Sequence, residues 1–154
     1  MPGIDECLSE AMALPGARGA AIVDWTSGLA LGSVGDSPNG DHEATAAETA
    51  EVARSAAEYG AFTPATPAPA PAGPGPAPLT PDSAAVVPDP AAVRGELPVE
   101  DLMVTTRAGF HLIRFVETTF DSSVFLYLWL DRRTGNLALA RMRLRDLSER
   151  LVLV

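Results

Sequence analysis

The chain has 154 residues, no lysine, one cysteine and a net charge of −9. Its acidity disfavours nonspecific binding to nucleic acid or anionic membranes. Its lone Cys7 excludes an internal disulfide and a cysteine-rich zinc cluster. Eleven of the fourteen prolines fall between residues 63 and 98, a stretch of Pro, Ala, Gly and small polar residues. Such a segment buries too little apolar surface to offset the entropy of ordering it. It is therefore expected to be a disordered insertion. Residues 1–62 and 99–154, about 118 in all, are expected to fold together as one small domain. The charge is split between them: residues 1–62 carry −8 and residues 99–154 carry +1, which favours their docking. The start of the chain lacks a basic stretch followed by an apolar one, and the most apolar run, 124–130, is too short for a spanning helix. A cytoplasmic location is expected.

Ile4, Cys7, Leu8 and Ala11 recur at helical spacing and predict a helix over 4–14, ended by Pro15-Gly16. Residues 17–25 read as a strand with Ala21, Val23 and Trp25 on one side. The turn Thr26-Ser27-Gly28 leads into a second strand, 29–34, which Gly32 weakens. A loop of turn formers then precedes an Ala- and Glu-rich helix over 41–59, with Asp41 as a plausible N-cap and Gly60 as its stop. One face of this helix is smooth: Ala46, Ala50, Ala53 and Ala57. Small residues at that spacing permit close approach of another helix or a sheet.

Three strands are predicted after the insertion, over 101–107, 110–117 and 124–131. The last two are apolar on both faces, which requires cover on both sides of the sheet. Asn136 caps a final helix over 137–151, whose stripe is Leu137, Ala140, Leu144, Leu147 and Leu151. The order α-β-β-α-β-β-β-α predicts an α+β fold, a five-stranded mostly antiparallel sheet with helices on both faces.

No catalytic constellation stands out. Asp24 reads as support for the turn that follows it, and Cys7 as a small core residue. His42 and His111 have no carboxylate or cysteine partners in the sequence that suggest a metal site or a general base. No phosphate-binding glycine loop is present. Hence no catalytic, cofactor or metal residues are assigned, and the chain is read as non-enzymatic. Arg132-Arg133 and Arg141, Arg143 and Arg145 read as solvated surface, and the PxxP-like spacing at Pro64 and Pro67 as spacer.

The hairpin from Gly19 to Leu29, the Ala-rich helix from Asp41, and the run Gly135-Asn-Leu-Ala-Leu-Ala-Arg141 following an apolar strand resemble the roadblock/dynein light chain family, especially its bacterial members. The resemblance covers about three quarters of the chain and rests on hydrophobic pattern. It implies a sheet ordered β2-β1-β5-β4-β3, with the first and last helices on one face and the middle helix on the other. It implies a homodimer in which middle helices pack together and third strands pair, with Ala46, Ala50, Ala53, Ala57, Leu102 and Val104 at the interface. It also implies a small Ras-like GTPase as partner, met by Glu48, Glu51, Arg54, Glu58 and Tyr59. The alternative is an adaptor for a sensor kinase or membrane-associated signalling complex, without a role in nucleotide turnover. The long insertion departs from the family pattern; growing a loop from about 6 to about 36 residues costs only about 1.6 kcal/mol.

Overall fold

The computed structural model describes residues 3–62, 98–117 and 123–151. The insertion predicted over 63–98 therefore lies, except for Pro98, outside the described residues. The elements are α1 (Ile4–Met12), β1 (Ala17–Asp24), β2 (Leu29–Gly35), α2 (His42–Glu58), a 3-10 turn (Gly60–Phe62), β3 (Asp101–Thr105), β4 (Gly109–Val116), β5 (Val124–Asp131) and α3 (Leu137–Arg150). All four strand pairings are antiparallel, in the order β2-β1-β5-β4-β3. Because β1 pairs with β5, one sheet joins strands from either side of the insertion.

Strand alternation sorts the side chains into two cores. Toward one face point Ala20, Ile22, Leu112, Val116, Val124, Leu126, Leu128 and Leu130, covered by Cys7, Leu8 and Ala11 of α1 and Ala140, Leu144 and Leu147 of α3. Toward the other point Ala21, Val23, Ile113, Phe115, Phe125, Tyr127 and Trp129, covered by Ala46, Ala50 and Ala53 of α2. All of β5 is buried except its last residue, as a central strand with cover on both sides must be.

Local chemistry sets the element ends. The Asp41 carboxylate accepts from Glu43 N at 2.9 Å and caps α2, while Asn136 Oδ1 accepts from Leu139 N at 3.0 Å and caps α3. Strand β3 stops two residues short of the expected 107 because the Thr106 hydroxyl takes the N–H of Gly109 at 3.0 Å and starts the turn. Gly32, a weak strand former in the hairpin, has a packing reason. A Cβ there would lie 2.7 Å from Ile4 Cγ2, so α1 seats directly on the backbone of β2. Gly16 (φ +79°) lets the turn after α1 pass against Gly135.

The edges differ in support. Asp101 at the start of β3 receives Arg141 Nε of α3 at 2.6 Å, tying the edge strand to the helical layer. Met103, Val104 and Thr105 are exposed.

Candidate interaction surface

The side chains that could carry chemistry are held in structural roles. Asp24 Oδ1 accepts from Thr26 N at 2.9 Å and from the Thr26 hydroxyl at 2.6 Å. Partial burial would raise the Asp24 pKa, but these bonds prevail and hold it below the ordinary carboxylate value. Cys7 is fully buried, and burial, aided by Glu10, pushes its thiol up to about 11, so it stays protonated and inert at neutral pH. His42 Nε2 lies 2.9 Å from Gly35 O and ties the start of α2 to the end of β2. Among the described residues no group of three His, Cys, Asp or Glu side chains is placed to hold a metal ion. No described helix is long and apolar enough to cross a membrane.

The alanine stripe of α2 requires a correction. Ala46, Ala50 and Ala53 are at most 2 % exposed and pack on the aromatic face of their own sheet, and half-buried Ala57 joins them. The smooth face is therefore occupied inside the protomer and is not open to a second helix. The physical reason is size matching: Phe115, Phe125, Tyr127 and Trp129 project from the strands, and only small side chains let a helix come down over them.

The opposite side of α2 is open. Ala47, Glu48, Glu51, Val52, Glu58 and Tyr59 are exposed, with Ala44, Arg54 and Ser55 half-buried. Of the five residues expected to meet a partner, Glu48, Glu51, Glu58 and Tyr59 thus face solvent. Arg54 lies lower, with its Nε buried and without a hydrogen-bond partner among the described residues.

Helical spacing divides the open side into two flanks. Ala47 lies against Gly28 of the β1–β2 turn, so the flank of Ala47, Arg54 and Glu58 leans toward β2. Thr45 and Thr49 line a crevice with Tyr127 of β5, so the flank of Glu48, Val52 and Tyr59 leans toward β5, β4 and β3. Val52 is 45 % and Tyr59 61 % exposed, and Phe62 beyond the helix is 52 % exposed. On the same side of the sheet, β3 offers half-buried Leu102, packed against the aromatic core, and Val104, which is 42 % exposed. Between helix and edge strand sits a polar-tipped aromatic group. His111 Nδ1 is 2.7 Å from the Tyr127 hydroxyl, and the His111 ring stacks on Trp129 at 6.3 Å. Burial lowers the His111 pKa and raises that of Tyr127.

Val52 and the His111 group were absent from the sequence-derived set. Val52 had a legible signal: it is the one large aliphatic residue in an alanine-rich helix. The His111–Tyr127 contact joins residues 16 apart and needed the β4–β5 register.

The arrangement supplies a surface rather than a cleft. It combines exposed apolar side chains, a strand edge unpaired among the described residues and a row of carboxylates.

No family model matches the chain, and no curated protein sequence does. Solved structures do match its fold. Myxococcus xanthus MglB superposes with a TM-score of 0.61 at 19% identity, over 95% of this chain and 82% of that one. A structure described as MglB with tetrameric arrangement gives 0.59 at 16%, over 95% and 82%. A Roadblock/LC7 domain from Streptomyces avermitilis gives 0.58 at 15%, over 96% and 93%. With the element order and strand order described above, these likenesses show that the chain has the roadblock/LC7 fold.

Proposed function

We propose that the chain is a non-enzymatic, cytoplasmic regulatory module that forms a homodimer and binds a small Ras-like GTPase, as activator or scaffold. The observation that carries this reading is the exposed apolar strip running from Val52 and Tyr59 on α2 to Val104 on the β3 edge, which is unpaired among the described residues. An unpaired edge with apolar neighbours is a liability in a lone protomer and an asset in a pair. The dimer seam in this reading takes Leu102 and Val104, as the sequence resemblance implied. On the helix it takes the Glu48–Val52–Tyr59 flank instead of the alanine stripe. Glu51 and Glu58 remain outward on α2 and form, with half-buried Arg54 beneath them and Glu48 and Tyr59 at their margin, the surface offered to the GTPase. The likeness to MglB structures, one of them in a tetrameric arrangement, supports a self-associating regulator.

Titration with small GTPases encoded in the same genome, read both as complex formation and as nucleotide turnover, tests the partner. Binding by at least one GTPase, weakened about tenfold or more by Glu51→Arg/Glu58→Arg, is the expected result. Binding by none of them contradicts the reading.

A further inference from the structure

One end of the sheet gathers four guanidinium groups: Arg18 at the start of β1, Arg107 in the β3–β4 turn, and Arg132 and Arg133 in the β5–α3 turn. We propose that this end is a docking site for a short carboxylate-rich peptide segment of a protein partner, separate from the α2 surface. Arg107, Ala108, Asp131, Arg132 and Arg133 line an open hollow of about 550 Å³ there.

Two features make these arginines available to an anion. The first is that no carboxylate among the described residues pairs with them. Arg114, Arg141, Arg145 and Arg150 each stand within 4.0 Å of a carboxylate, whereas none of the four at this end forms such an ion pair among the described residues. The acid in the hollow, Asp131, is engaged otherwise. Its Oδ1 accepts from the backbone N–H of Arg133 at 2.7 Å and of Thr134 at 3.2 Å. The second feature is that two of the four are held in place. Arg132 Nη1 donates to Thr106 O at 2.7 Å and braces one turn against the other. The Arg18 guanidinium lies 3.9 Å over the Trp129 ring. A braced guanidinium loses less freedom on meeting an anion and offers its remaining N–H groups in a fork that matches a carboxylate.

Charge and shape select the occupant. In a chain of net charge −9, an extended polyanion meeting this end would also meet the acidic surface beyond it. A short acidic segment can stay over the hollow, where Arg107, Arg132 and Arg133 act on it within the screening length of about 8 Å. The hollow is concave, which suits a peptide better than a flat bilayer.

Fluorescein-labelled hexaglutamate, titrated with the full chain and followed by anisotropy, tests the site. Saturable binding is expected at about 50 mM NaCl, falling several-fold at about 500 mM. Arg107→Glu/Arg133→Glu should weaken it by about tenfold or more, and the milder Arg107→Ala/Arg133→Ala by about threefold. The same change in net charge placed on α3, Arg143→Glu/Arg145→Glu, should leave it within about twofold. Circular dichroism of each variant verifies that it is folded. Three results overturn the proposal: no binding, equal loss from both charge reversals, or binding to phosphatidylserine vesicles without binding to the peptide.

Discussion

The two faces of the sheet are packed by opposite strategies. On one, leucines and valines of the strands meet leucines of α1 and α3, and two helices share the cover. On the other, aromatic strand residues meet the alanines of α2, the one helix over them among the described residues. Five strands spaced about 4.8 Å apart make a sheet about 19 Å wide between its outer strands, and one helix is about 10 Å across. Two helices can span that width; one cannot. Among the described residues this leaves a strip of the α2 side without a helix over it, where Val104, His111 and the Val52–Tyr59 flank lie. One face is covered by two helices, and the other leaves apolar side chains exposed among the described residues.

Substitutions can separate these roles. The largest effect is expected on the two-helix face. Leu128→Ala, at a fully buried position, should cost about 2–5 kcal/mol of stability, measured by urea unfolding. On the α2 face the sensitive direction reverses. Ala50→Leu must force the helix off the aromatics and should cost about 1–3 kcal/mol, while Ala47→Leu on the open side should change stability by less than about 0.5 kcal/mol. If Ala50→Leu proved neutral, the close seating of α2 would be wrong.

A smaller effect is expected from His111. Burial lowers its pKa in the folded chain below the ordinary value of about 6.5. The unfolded imidazole therefore takes its proton first as pH falls, so this contribution to stability is full above about pH 6.5 and is lost on acidification through the folded value. Denaturation midpoints at about pH 7.5 and pH 5.5 should differ more for the unaltered chain than for His111→Phe. An equal difference in both would remove His111 as the source.

Much of the two-helix face was legible from periodicity. The stripes Ile4-Cys7-Leu8-Ala11 and Leu137-Ala140-Leu144-Leu147-Leu151 mark it, as does the double-sided apolar pattern of β5. The caps Asp41 and Asn136 were legible too, because their side-chain chemistry is local. The α2 face was harder to read. A stripe of alanines says only that something comes close; it does not say whether that is another protomer or the protomer's own sheet. The size of Phe115, Phe125, Tyr127 and Trp129 on the facing strands decides it, and that depends on which strand face meets which helix. The arginine end was similarly hidden, since Arg18, Arg107, Arg132 and Arg133 meet only through the strand order.

The most direct measurement is sedimentation equilibrium of the intact chain beside Val52→Glu/Val104→Lys, two exposed positions whose replacement leaves both cores untouched. The unaltered chain should sediment as a dimer or a multiple of one, and the variant as a folded monomer with an unchanged far-ultraviolet spectrum. A chain that stays monomeric at every concentration, or a variant that associates as strongly as its parent, would contradict an interface on the uncovered strip.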